Sequence, residues 1–134
     1  IGAAMDCYHT ALTYSLERKQ FDKVIGAFQL TQKKLAEMIT SLSQAQLMAF
    51  RLGELADQGR VSSAQISMTK RSNVHMALQV ARESRQILGA MGITNDFSVM
   101  RHMVNLETVI TYEGTHDIHL LITGQDVTGI PAYK

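Results

Sequence analysis

Cysteine, proline and tryptophan are almost missing: the 134 residues hold one cysteine, one proline and no tryptophan. A lone cysteine excludes an intrachain disulfide framework and any multi-thiolate metal site, and it fits a reducing compartment. The only proline is Pro131, so the strongest helix breaker is absent from nearly the whole chain. Thirteen Lys+Arg against twelve Asp+Glu give a net charge of +1, without the basic surplus that marks nucleic-acid binders. No charge-free stretch is apolar enough to span a membrane. Alternating strand patterns and internal repeats are absent as well. What remains is 46% hydrophobic and only 19% charged, with eight methionines, which is the composition of an ordered domain. A chain of this length buries about two thirds of its unfolded surface. Rich in Ala, Leu and Met, it should be helical nearly throughout. Its first residues, Ile1 to Asp6, read as mid-helix sequence with no capping residue, so a longer parent chain is expected.

Apolar spacing places five helical segments. The first runs from about Ile1 to Glu17, with Ile1, Ala4, Tyr8, Ala11 and Ser15 on one face. A structured loop follows at Arg18–Gly26. The second segment, about Phe28 to Ala56, carries Leu35, Met38/Ile39, Leu42, Ala45, Ala49, Leu52 and Ala56. It spans roughly 40 Å, so only a partner helix of similar length covers its stripe. The third starts at Ser62 or Ser63, where Ser62 and Gln65 have capping-box spacing. Its face, Ile66, Thr69/Lys70, Val74, Ala77/Leu78, Ala81 and Leu88, has a polar interruption. Glycines in Gly89–Gly92 end it. Asn95 or Asp96 caps the fourth, which turns Phe97, Met100/Arg101 and Val104 inward. Thr115 caps the fifth, which carries Ile118, Leu121 and Ile122. The expected fold is all-α, an up-down-up-down four-helix bundle with an additional short C-terminal helix, forming one domain over residues 1–134.

Three runs stand out for chemistry. Tyr112-Glu113-Gly114-Thr115-His116-Asp117-Ile118-His119 sets a carboxylate beside a glycine at a helix start, where a ligand can approach the backbone. Set between Ile110 and Ile118, Glu113 is expected to be partly buried, and burial without a cation makes a carboxylate a better base. The plainer alternative is that Glu113 only stabilises the helix N-terminus electrostatically. Glu113 and His116 also have the spacing of ferritin-like di-iron helices. Three residues beyond Glu17, Glu37, Glu54, Glu83 and Glu107 stand Gln20, Thr40, Asp57, Gln86 and Ile110, none a histidine, so that site fails and no metal is expected. His116 and His119 read as solvated or hydrogen-bonded imidazoles. Arg18-Lys19-Gln20-Phe21 offers a guanidinium beside amide and ring, a set that grips a pyrophosphate and packs on a ring, or else a solvated loop. Gln86 to Gly92 is glycine-punctuated but lacks the preceding strand of a dinucleotide-binding turn.

Together these runs, Tyr14–Phe21 with Phe28-Gln29, then Gln86–Gly89, then Tyr112–Thr115, resemble the C-terminal domain of the acyl-CoA dehydrogenase family, over essentially the whole chain. The ending, Arg101-His102, Asn105-Leu106-Glu107, Tyr112–His119 and Thr128–Ile130, resembles the glutaryl-CoA branch. The resemblance implies a three-domain flavoenzyme whose N-terminal helical and middle β-domains are not in this sequence. It implies FAD as cofactor and an acyl-CoA as substrate, oxidised across a carbon–carbon single bond. In the glutaryl branch, decarboxylation to crotonyl-CoA follows. An electron-transfer flavoprotein is the implied acceptor, and a homodimer or homotetramer the implied assembly.

By the same resemblance Glu113 is the catalytic base and Gly114 a substrate contact. Thr115 meets the flavin of its own subunit, and Asp117 is a further cofactor contact. Arg18, Gln20, Phe21, Phe28 and Gln29, with Gln86, Leu88 and Gly89, meet the flavin of the neighbour. Tyr133 is a late aromatic contact to flavin. The sequence departs from the family pattern at Asp22 and Val24, usually glycine and proline, at Ala90-Met91, usually Gly-Asn, and at Gln125, commonly arginine. By itself this chain is expected to be inactive. The location implied is cytoplasmic in a bacterium and the mitochondrial matrix in a eukaryote. The competing readings are an acyl-CoA dehydrogenase or oxidase for another acyl-CoA, and a non-catalytic helical assembly module.

Overall fold

A computed structural model describes residues 1–133. Its main elements are α1 (Gly2–Glu17), a two-stranded antiparallel hairpin of β1 (Lys19–Gln20) and β2 (Lys23–Val24), then α2 (Gln29–Asp57), α3 (Ser63–Leu88), α4 (Val99–Thr111) and α5 (His116–Thr128). Short 3₁₀ turns at Ile25–Ala27 and Gly89–Ile93 join them. The all-α bundle expected from the sequence is what forms.

α3 is the axis of the bundle and touches each of the other four helices. Its buried residues, among them Ala64, Ser67, Val74, Ala77, Leu78, Val80, Ala81, Ser84 and Leu88, ring most of its circumference. Ile66, expected inside, is 48% exposed. The packing between α1 and α3 is made by small residues. Ala4, Cys7, Ala11 and Ser15 on one helix, and Ala77, Ala81 and Ser84 on the other, are all buried, so the two backbones can approach closely. Ser15 keeps its hydroxyl satisfied by donating to the Leu12 carbonyl at 2.8 Å.

Helix ends follow local rules. Ser62 Oγ accepts from Gln65 N–H while Gln65 Oε1 accepts from Ser62 N–H at 2.9 Å, the reciprocal box its spacing foretold. α4 departs from expectation. It starts at Val99, with Ser98 rather than Asn95 or Asp96 before it. Val99 and Leu106 are buried and Met103 and Ile110 pack against the core, whereas Val104 is 58% exposed. The later start rotates the inward stripe to 99, 103, 106 and 110, one helical face.

Polar contacts tie α1 to the start of α4. Asp6 Oδ2 accepts from Ser98 Oγ at 2.5 Å and lies 2.9 Å from His102 Nε2. The Ser98 bond holds the Asp6 carboxyl below its usual range, against the opposing push of burial, and His102 adds to the lowering. Nearby, the Tyr14 and Phe97 rings meet edge to face at 5.7 Å. Among the described residues no helix is long and apolar enough to cross a membrane.

Candidate active site

The chain must reverse between α4 and α5, and it does so in the turn Tyr112–Thr115. Tyr112 is extended, while Glu113 has φ 53 and Gly114 φ 91. Glycine takes such a φ freely, whereas glutamate does so at a cost of about 1–2 kcal/mol. Non-glycine residues held in this region mark constrained sites. Thr115 then caps α5, its Oγ1 accepting from Ile118 N–H at 3.3 Å. Asp117 sits exposed in the first turn, where the helix dipole favours a negative charge.

Contrary to the partial burial expected of it, Glu113 is exposed. The turn stands at the edge of the bundle and carries the carboxylate outward, clear of the apolar residues on either side. In this chain, Glu113 is presented rather than enclosed.

α3 supports the turn from beneath. Lys70 Nζ donates to the Tyr112 carbonyl at 2.6 Å and to the Gly114 carbonyl at 2.5 Å. The two acceptors bracket Glu113. One helical turn earlier, Ser67 Oγ lies 3.0 Å from His119 Nδ1, and His119 is only 7% exposed. A β-carbon added at Gly114 would lie 2.9 Å from His119 Nε2, so the imidazole fills the space a side chain would need. His119 thus replaces Ile118 as the inward residue of this turn, for Ile118 is 39% exposed. Burial depresses the pKa of His116, helped by the positive charges of His75, Arg71, Lys70 and His119. Among the described residues no group of three or more His, Cys, Asp or Glu side chains gathers to hold a metal.

A second cluster lies at the far end of α3. The structured loop expected at Arg18–Gly26 is a tight hairpin, with Phe21 at φ 53 and Asp22 at φ 61. Both central residues therefore lie in the left-handed region that a two-residue hairpin favours. Asp22 adopts there the backbone a glycine would take. The hairpin lifts Phe21 to 86% exposure, and Phe28 meets it edge to face at 6.3 Å. Gln20, Phe21, Phe28, Lys34 and Gln86 line one groove of about 350 Å³. Gln29 lines an adjoining hollow of about 650 Å³ with Lys23 and Phe28.

Two sequence runs far apart thus meet, and Lys34 joins them: its ammonium donates to Gln86 Oε1 and pairs with Glu83 at 2.8 Å. Arg18 caps α1 through its backbone and is exposed beside this hairpin. The groove's amides and ammonium, its exposed Phe21 and half-buried Phe28 rings, and the exposed Arg18 next to the hairpin make a set that fits a pyrophosphate-bearing, ring-bearing cofactor such as FAD. Leu88, at 2% exposure, is a core residue whose side chain is closed to ligand. Gly89 ends α3 at φ 62. Tyr133 belongs to neither cluster; it lines a hollow of about 390 Å³ with Ser63, Ile122 and Gly129. Lys70 and Gln86 are separated along α3 by about 24 Å, so the turn and the groove are distinct surfaces.

Sequence reasoning missed Lys34, Lys70 and the burial of His119. The one signal was the polar interruption at Thr69/Lys70 on an otherwise inward face.

Residues 1–128 match the family model described as the acyl-CoA dehydrogenase C-terminal domain. The chain belongs to the acyl-CoA dehydrogenase family. It is 30% identical over 131 residues to a glutaryl-CoA dehydrogenase of Desulfococcus multivorans, covering 97% of this chain and 34% of that protein. A solved glutaryl-CoA dehydrogenase of Mycobacterium smegmatis superposes with a TM-score of 0.97 at 50% identity, over 99% of this chain and 34% of that one. A second structure from that organism, in complex with FADH2, gives 0.97 at 45% identity, with the same coverage of both chains. The chain spans about a third of the length of the curated relatives it matches.

Proposed function

We propose that this chain is the C-terminal bundle of an FAD-dependent acyl-CoA dehydrogenase that oxidises and decarboxylates glutaryl-CoA, with Glu113 as the base. The observation that carries this reading is the turn itself. An exposed carboxylate is held in a left-handed conformation, on a backbone whose flanking carbonyls are both occupied. The similarity to glutaryl-CoA dehydrogenases supports the substrate class, and the FADH2-bound relative supports the cofactor.

The chemistry asked of Glu113 is proton abstraction from the α-carbon of the thioester. That proton is acidic enough only when the thioester carbonyl is polarised by a donor facing its oxygen. The Glu113 backbone N–H is the donor this turn offers. Gly114, having no side chain, lets the acyl group come close. Bound flavin would supply the acceptor for the β-hydrogen, which leaves as hydride. With glutaryl-CoA the γ-carboxylate then leaves as CO₂, and Glu113 returns its proton to give crotonyl-CoA. Thr115 and Asp117 lie next to the turn, on the side assigned to the subunit's own flavin. The groove of Gln20, Phe21, Phe28 and Gln86, with Arg18 and Gln29 beside it, is assigned to the flavin of a second subunit.

The distance of about 24 Å along α3 supports that division, because one bundle then serves two active sites. It makes a dimer the smallest working unit, within a protein that also carries the two preceding domains. An electron-transfer flavoprotein is the acceptor proposed with it.

The test is substrate turnover by the full-length enzyme. Incubation with carboxyl-labelled glutaryl-CoA and an electron acceptor releases labelled CO₂ and yields crotonyl-CoA under this reading. Dehydrogenation of other acyl-CoA substrates with no CO₂ from glutaryl-CoA removes the glutaryl assignment and leaves the family chemistry.

A further inference from the structure

We infer that Lys70 is a positioning residue that sets the aim of Glu113; the inference rests on the reading of Glu113 as the base. Lys70 stands on the inward face of α3, between the buried residues Ser67, Thr69 and Val74. An ammonium there is costly to place unless its donors are used. It has no carboxylate partner among the described residues. Its partners are the main-chain carbonyls of Tyr112 and Gly114, the residues on either side of Glu113. The Tyr112 ring lies 6.0 Å from the same ammonium.

A compact head with three donors is suited to this task, because it bridges two acceptors that no hydrogen-bonded ladder satisfies. Fixing both carbonyls fixes the Tyr112–Glu113 peptide plane, which carries the Glu113 N–H, and the Gly114–Thr115 plane one residue beyond, so the turn is held on both sides of Glu113. Those planes set the direction of its side chain and of its N–H. The region is otherwise free to relax, since Glu113 and Tyr112 are exposed and Glu113 holds an unfavoured φ. His119, anchored to Ser67, supports the same turn under Gly114. Both supports come from one face of α3, since Ser67 and Lys70 are three residues apart. Lys70 does not touch the reacting atoms. Its effect is on orientation, where displacement of about 1 Å costs on the order of a hundredfold in rate.

The experiment is Lys70→Met in the full-length flavin-loaded enzyme. Flavin content, KM for the acyl-CoA, the saturating rate of flavin reduction and solvent-deuterium exchange at the substrate α-carbon are measured together. The expected result is retained flavin, KM changed by no more than a few-fold, and reduction and α-exchange both slowed about 10- to 100-fold. Lys70→Arg, which keeps the charge and several donors, recovers part of both rates. Should Lys70→Met fail to take up flavin, Lys70→Gln is measured in its place with the same expectation. A wild-type saturating rate in the variant that holds flavin overturns the inference, as does a loss confined to KM. Glu113→Gln run alongside separates the two readings: full activity there removes the base assignment, whereas loss there with an unaffected Lys70 variant removes only the positioning role.

Discussion

His119 occupies the space under Gly114: its Nε2 lies 2.9 Å from where a β-carbon on Gly114 would sit. The pair explains why this turn carries glycine next to its glutamate. Gly114 also holds φ 91, which side chains avoid. Gly114→Ala therefore pushes against a buried ring and strains the backbone at once. In the full-length enzyme it is expected to slow flavin reduction by at least tenfold, while far-ultraviolet circular dichroism stays helical. Gly114→Ala together with His119→Ala relieves the clash but not the φ penalty, and should recover only part of the rate.

Gly92 makes a different point. A β-carbon there would lie 2.5 Å from the Arg85 carbonyl oxygen, and backbone cannot swing aside as a flexible side chain does. Gly92→Ala should destabilise the domain by roughly 1–3 kcal/mol, the range of overpacking. Urea unfolding reads this as a lower midpoint at unchanged slope. An unchanged midpoint would show that the 3₁₀ turn after α3 yields freely.

His116 sets a pH dependence. Its pKa is lowered from 6.5, chiefly by burial. The unfolded chain therefore takes up a proton before the folded one as pH falls. Stability is full above about 6.5 and declines as pH drops from there to the lowered folded value. Unfolding midpoints between pH 7.5 and 5 should fall, and His116→Gln should flatten that slope. A slope identical in the variant assigns the effect to another group.

Cys7 is fully buried, and its thiol is pushed up to about 12 by burial, with the nearby Asp6 charge adding to it. Thiolate is then scarce at neutral pH. Native protein should react with a thiol reagent far more slowly than protein unfolded in guanidinium. Equal rates would mean that the α1–α3 contact opens readily.

Much of the fold was readable because its causes are local. Ser62 with Gln65, and Thr115 with Ile118, are contacts over three residues, and helical spacing in α1 to α3 follows from one face meeting one core. The error in α4 came from placing its cap at Asn95 or Asp96, which turned the inward stripe onto Val104.

The site was legible in part. Glu113, Gly114 and Thr115 form a contiguous run, so their spacing was visible. Lys70 shows only as an odd polar residue, because its partners lie 42 and 44 residues away and are backbone atoms. His119 read as either solvated or hydrogen-bonded, and spacing could not decide between them because Ser67, its partner, is 52 residues away. The exposure of Glu113 is likewise a property of how the turn stands on the bundle, which spacing does not encode.

The central claim is that Glu113 removes the substrate α-proton. Glu113→Gln in the full-length enzyme keeps the shape of the side chain and removes its basicity. The account predicts that flavin remains bound while its bleaching by acyl-CoA, followed by rapid-mixing absorbance, falls by at least a hundredfold, in line with loss of a general base. Bleaching at the wild-type rate would contradict it.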